Sequence, residues 1–336
     1  MVIHFHVWEF VGDINNPCSQ VSIIGSRGSG NQQADHVMVL RLAGQPSMHP
    51  QPRVDSPLGA GFRMWVSGYL WTDSVAQTRM EHSLKEEGEF TYIDVGDGPP
   101  LIFLHGLFGA LSNFEGPIAY FSKKYRVVMP MLPLYTLPML NTNVPALADF
   151  LDRFVRHKGF SEINLLGNSL GGHVALVYCT KHAERIRTLI LTGSSGLYEN
   201  AFGGGFPRRE DKEFLRSRIA LTFHDPKHVT DALVEECYQT VNDKAKLIRI
   251  LSLAKSAIRH NMAKDLPNLK MPVCLIWGKQ DTITPPHVAE EFHSLIPQSE
   301  LYWIDNCGHA AMMEHPDAFN GIVDTWLAKT LGKAQG

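Results

Sequence analysis

From about Glu89 onward, short apolar runs alternate with stretches whose apolar residues recur every three to four positions, the repeat of a helix face. That alternation predicts βαβ units and a mostly parallel sheet. Glu89 to Val95 alternates in the manner of a hairpin strand. Leu101–Leu104, Arg126–Met129, Ile163–Leu166, Thr188–Leu191, Val273–Trp277 and Leu301–Ile304 are continuous apolar runs and predict buried parallel strands. Between them, Leu147, Phe150, Leu151, Phe154 and Val155 sit at helical spacing, and the run closes at Lys158-Gly159. Thr284-Pro285-Pro286 predicts an N-cap threonine followed by proline at the first helical position, opening a helix that carries Val288, Phe292 and Leu295. Phe319, Ile322, Val323, Trp326 and Leu327 form the last stripe.

Two regions break the alternation. Residues 197–264 are helix-rich and fall between two core strands, so they predict an inserted cap that splits the core into 80–196 and 265–336. Residues 1–79 are rich in Gly, Ser, Gln and Pro without sustained periodicity, and predict a disordered or appended extension.

The chain has 336 residues, enough for one large core with an insertion. It is 44% hydrophobic and 19% charged, an ordinary soluble composition. A net charge of −3 supplies no basic field for nucleic acid, which leaves a small molecule as the expected substrate. The five cysteines are scattered without metal-ligand spacing, which fits free thiols, and no apolar run is long enough for a membrane span. The expected location is the cytoplasm, as a monomer or homodimer.

The strongest chemical signal is Leu166-Gly167-Asn168-Ser169-Leu170-Gly171-Gly172, directly after an apolar strand and directly before the helical run from His173. A Gly-x-Ser-x-Gly segment in that setting is a strand-turn-helix that exposes a serine hydroxyl on a tight turn. Glycine on both sides removes the Cβ atoms that would collide. A hydroxyl is a poor nucleophile, so Ser169 needs a base. His309 follows the last strand by the short loop Asp305-Asn-Cys-Gly308, with His315 the alternative. Asp281 ends Trp277-Gly-Lys-Gln-Asp281 and would orient the imidazole, with a turn-capping role and Asp305 as its competitors.

Together with His105-Gly106-Leu107-Phe108-Gly109, these motifs resemble the α/β-hydrolase superfamily over residues 89–330, in its chain order of Ser, Asp, His. The resemblance implies a central, mostly parallel sheet with helices on both faces and a helical cap. It implies oxyanion-hole N–H groups from Leu107 and Leu170, a structural hydrogen bond for His105, and no metal or organic cofactor. The pocket would involve Phe108, Asn168, Phe202, Phe206 and Phe223, with Leu215 and Leu251 on the cap.

Serine at the elbow sets the chain apart from the relatives with an aspartate nucleophile. Three readings remain: a carboxylic ester hydrolase, a carbon–carbon bond hydrolase of ring-fission diketo acids, and a catalytically inactive binding module. The second resembles the chain in its GNSLGG elbow, yet such enzymes carry Trp after the catalytic histidine where this chain has Ala310. It also calls for an acid-binding cap arginine, with Arg208, Arg209 and Arg259 as candidates. The HGLFG loop resembles small-acyl esterases.

Overall fold

The computed structural model describes the backbone of residues 8–11, 20–25 and 36–41, and residues 84–108, 114–200 and 210–333. The chain divides into two units, Met1–Ser74 and Val75–Gly336. In the first, β1 (Trp8–Val11), β2 (Gln20–Gly25) and β3 (His36–Arg41) form an antiparallel sheet in the order β1-β2-β3. The sequence pattern predicted no regular structure there. Val21, Ile23, Ile24, Val37 and Val39 supply the β-branched residues that favour extended backbone, in runs too short to show a period.

The second unit is built on an eight-stranded sheet. Its strands are β4 (Lys85–Glu87), β5 (Phe90–Val95), β6 (Pro100–Leu104), β7 (Arg126–Pro130), β8 (Ile163–Asn168), β9 (Ile186–Thr192), β10 (Val273–Gly278) and β11 (Ser299–Ile304). The spatial order is β11-β10-β9-β8-β6-β7-β5-β4. The six strands from β11 to β7 pair in parallel, and the β4–β5 hairpin pairs antiparallel with that set. All the strands predicted from apolar runs are present. Each runs one to three residues further than its apolar run: β8, for example, continues because Gly167 and Asn168 still pair with Leu191 and Thr192, and β10 continues to Gly278 opposite Ile304.

Helices cover both faces. Along β6, Ile102 and Leu104 pack into one core cluster with α2 (Val144–His157), α3 (Leu170–Lys181) and α7 (Pro286–Leu295). Leu101 and Phe103 pack into the other with α1 (Glu115–Phe121) and α9 (Pro316–Lys333). Burying both faces of a strand requires apolar residues at consecutive positions, which is why these strands read as continuous runs. The α7 cap differs from expectation. The N-cap is Pro285 with Pro286 at the first position, and Thr284 turns its hydroxyl elsewhere.

Between β9 and β10 lie α4 (Lys212–Ile219), α5 (Asp231–Asn242) and α6 (Lys244–Arg259). Among the described residues no helix is long and apolar enough to cross a membrane.

The chain runs from β6 outward to β7 on one side, then crosses back to β8 on the other. The carboxyl ends of β6 and β8 therefore flank a point where the winding direction reverses, the place where open α/β sheets leave a crevice.

Candidate active site

Ser169 stands between β8 and α3 with φ 53° and ψ −120°, a backbone region that L-residues rarely occupy. Holding a residue there costs roughly 1–3 kcal/mol, which the surroundings must offset. They do so with main-chain bonds: the Ser169 N–H donates to Thr192 O (3.2 Å), and its carbonyl accepts from the N–H groups of His173 (3.2 Å) and Ser195 (3.2 Å). Glycine is obligatory on both sides. A Cβ on Gly167 would come within 2.6 Å of Gly172 Cα, and one on Gly171 would run into the carbonyl of Leu104. Helix α3 starts at Leu170, so its first N–H groups have no intrahelical acceptor and face the reaction crevice with the positive end of the helix dipole.

The β6 loop is fixed by His105. Nε2 of this buried imidazole accepts from the Leu132 N–H (2.9 Å), and its Nδ1–H therefore donates to Gly106 O (3.0 Å). Burial holds its pKa below the ordinary value despite the Gly106 bond, so the ring stays neutral and its tautomer is set. This is the structural hydrogen bonding that the family resemblance implied. Leu107 and Phe108 follow and line a cavity that they share with Asn168, Ser169, Leu170 and His309.

Opposite stands the buried pair His309 and Asp281, with Nδ1–H donating to Oδ2 at 2.9 Å. Asp281 also does what a turn aspartate does. Its Oδ1 accepts from the N–H groups of Ile283 (2.8 Å) and Thr284 (2.9 Å), while the Thr284 hydroxyl donates to Oδ2 (2.8 Å). The turn-capping and imidazole-orienting roles are thus filled by different oxygens of one carboxylate. Trp277 secures the loop through Nε1–H donation to Thr284 O (2.9 Å). For His309, burial alone would lower the pKa; the charge and hydrogen bond of Asp281, with Glu199 adding to them, outweigh it and hold the imidazole above its ordinary value. The alternatives fall away from this pair. His315 bonds Asn306 O (2.8 Å) outside the cavity, and Asp305 forms an exposed ion pair with Lys279 at 2.6 Å.

The remaining wall is mostly apolar and comes largely from the insertion, including Leu215, Ile219, Phe223 and Leu233. Of the pocket residues predicted from sequence, Phe108 and Phe223 lie on this wall, while Phe202 and Phe206 fall outside the described residues. Asn168 lines the cavity, but its amide is engaged in donation to Thr192 O (3.0 Å) and His309 O (3.5 Å), tying the elbow to the histidine loop. Arg208 and Arg209 also fall outside the described residues, and Arg259 is exposed at the end of α6. Among the described residues the arginine that lines the cavity is Arg218 of α4, which the sequence pattern did not single out.

Two acidic residues went unnoticed as well. Glu314 Oε1 accepts from the N–H groups of His224 (2.8 Å) and Asp225 (2.9 Å), and its Oε2 accepts from Gly308 (2.5 Å). It fastens the insertion to the loop that carries His309, whose own N–H donates to Thr222 O (2.8 Å). Glu199 lines the cavity itself, and burial pushes its carboxyl up to about 7 against the opposing pull of His309 and a Ser195 hydrogen bond.

With this geometry in place, similarity to known proteins adds a second line of support. The sequence profile of the family described as the alpha/beta hydrolase fold matches residues 99–217 and 229–316. An alpha/beta hydrolase enzyme from a metagenome of lagoon sediments at Mar Chica, Morocco, has 47% sequence identity, covers 74% of this chain and 98% of its own, and superposes with a TM-score of 0.61. A 2-hydroxy-6-oxo-6-(2'-aminophenyl)hexa-2,4-dienoic acid hydrolase of Metapseudomonas resinovorans is 29% identical over 262 residues, 72% of this chain and 88% of that protein. Lipase 3 of a Moraxella species is 25% identical over 240 residues, 65% of this chain and 73% of the lipase.

Proposed function

Because the chain belongs to the α/β-hydrolase fold family and is a hydrolase, we propose that it cleaves carboxylic esters of small molecules through an acyl-enzyme on Ser169. The observation that carries this reading is the 2.9 Å Asp281–His309 pair at the same cavity as Ser169, the two loops meeting at the carboxyl edge of one sheet.

The chemistry follows from the arrangement. Nδ1 of His309 is committed to Asp281, which leaves Nε2 to take the proton of Ser169 as its Oγ attacks the ester carbonyl. Four donors surround the two oxygens of Asp281, which stabilises the imidazolium without accepting the proton. The N–H groups of Leu107 and Leu170 receive the oxyanion, and each such donor is worth roughly 2.7–4 kcal/mol of barrier. The imidazolium returns its proton to the leaving alcohol, and water attacks the acyl-enzyme with the same histidine as base. Residues 197–264 act as the cap that sets substrate size through apolar wall residues such as Phe223 and Leu215.

A panel of short- and long-chain p-nitrophenyl esters, lactones, amides and one ring-fission diketone, assayed with wild type and Ser169→Ala, tests this. Ester turnover that vanishes in the variant supports the reading, and full retention contradicts it. A second reading has its own support. Arg218 on the cavity wall is a cap cation suited to an acid substrate, and the Metapseudomonas relative is named for carbon–carbon cleavage. Turnover of the diketone well above every ester would select that reading.

A further inference from the structure

Glu199 is anchored from several directions for a residue in the wall of a substrate cavity. The next residue, Asn200, donates its N–H to Ile283 O (2.7 Å), on the loop whose amides hold Asp281. The carboxyl group of Glu199 bonds to Ser195, whose hydroxyl also reaches the Ser169 carbonyl (3.3 Å) and lies 3.5 Å from His173 Nδ1. His173 continues the polar chain to His260, Nε2 to Nδ1 at 3.0 Å. A carboxyl group bonded beside the nucleophile turn, on a segment whose next residue is tied to the acid loop, and lining the same cavity as His309, is built into the site.

We infer that Glu199 is a positioning residue for the general base: its carboxylate stabilises the His309 imidazolium formed when Ser169 attacks, so that two carboxylates share that cation. The inference rests on the reading of Ser169 as nucleophile and His309 as base. In the step itself the proton leaves Ser169 Oγ for His309 Nε2 and passes to the leaving group. Glu199 is not the group that receives the Ser169 proton; it supplies charge.

The two carboxylates are built for different parts. Asp281 accepts from two main-chain N–H groups, a hydroxyl and the imidazole, so both of its oxygens are held by donors. Glu199 faces a wall that includes Leu215, Phe223 and Ile283, and hydrogen-bonds with the Ser195 hydroxyl, whose single proton is shared with the Ser169 carbonyl. Its anion is therefore favoured most when a cation appears nearby, and the two groups titrate as a coupled pair. Among the described residues, the other charged or titratable groups around it are these. Arg218 comes from α4; Cys237 of α5 has its thiol pushed up to about 12 by burial; His173 of α3, reached through Ser195, is lowered to about 3 by burial and the neighbouring His260. Cys237 and His173 are thus uncharged at neutral pH, and Asp281 lies behind the imidazole.

The sign of the effect is fixed. An ionised Glu199 raises the His309 pKa, and the base works only when neutral, so activity is lost as pH falls through that value. Removing the charge lowers the His309 pKa and moves the acid limb to lower pH, while the transition state loses part of its stabilisation.

The test is the rate at which a fluorophosphonate modifies Ser169, followed from pH 5 to 9 in wild type, Glu199→Gln, Glu199→Asp and Ser169→Ala, with adducts located by peptide mass. Glu199→Gln should shift the acid limb down by about one pH unit and lower the plateau about tenfold, the size of a single-unit change in pKa. Glu199→Asp, which keeps the charge, should restore most of both. A glutamine variant with the wild-type limb and plateau overturns the inference, as does an aspartate variant that matches the glutamine one. Labelling that persists in Ser169→Ala would overturn the nucleophile assignment, and with it the premise.

Discussion

The sheet and the insertion above it are built to different standards. Strands β8 and β10 are buried at every position on both faces, and α3 is buried from Leu170 through Cys179. In the insertion, α4 buries Leu215 alone, and α5 and α6 bury four residues each. Chemistry needs reacting groups held to a fraction of an ångström, and a doubly covered sheet edge supplies that rigidity. Substrate choice needs a surface that tolerates change, the part proposed above for this thinly packed helical layer.

The largest expected effect tests the rigid half. Asp281→Asn should lower ester turnover about 10⁴-fold while preserving the fold, because an amide leaves His309 in the wrong tautomer. Far-UV circular dichroism alongside the assay separates that loss from unfolding. If turnover fell by less than tenfold, the imidazole would be oriented by something other than Asp281.

Matched truncations in the two layers sharpen the contrast. Leu166→Ala, in the centre of β8, should cost ~2–5 kcal/mol in urea unfolding, with the ester chain-length preference unchanged. Leu215→Ala should cost less, within ~0.5–3 kcal/mol, and alter that preference, since Leu215 lines the cavity. The comparison fails if the two variants reverse these outcomes.

The most gradual expected effect is acid sensitivity centred on the sheet. His105 and His173 are buried and held below their ordinary pKa, His173 at about 3. The unfolded chain protonates both near 6.5 and the folded chain does not, so their stabilisation is complete above that pH and declines as pH falls toward the folded values. His173 should contribute a slope of about 1.4 kcal/mol per pH unit below ~6, and His105 adds a slope of the same sign. Urea midpoints measured from pH 7 to pH 5 check this, and His173→Asn should flatten the dependence.

The same division explains what the sequence disclosed. Continuous apolar runs marked every strand of the parallel set, and the glycines around Ser169 marked the elbow, because backbone geometry restricts residue type locally. Asp281 and His309 were legible through their positions just after strands. Glu199, Arg218 and Glu314 were not, since their roles come from groups far away in the chain. Glu314 meets the N–H groups of His224 and Asp225, and Glu199 acts on His309, contacts that leave no local period. Thr284 was misread for the same reason. Threonine before two prolines fits a helix cap, yet its hydroxyl donates to Asp281, a partner that only the folded loop brings within reach.

The claim beneath all of this is that Ser169, His309 and Asp281 form one reacting unit at the carboxyl edge of the sheet. Rapid acid quench during p-nitrophenyl ester turnover, followed by peptide mass mapping, tests it most directly. The account predicts a nitrophenol burst of one equivalent per chain and an acyl mass on the peptide containing Ser169, both absent in Ser169→Ala. Steady turnover without a burst, and with no acyl group on that peptide, would contradict it.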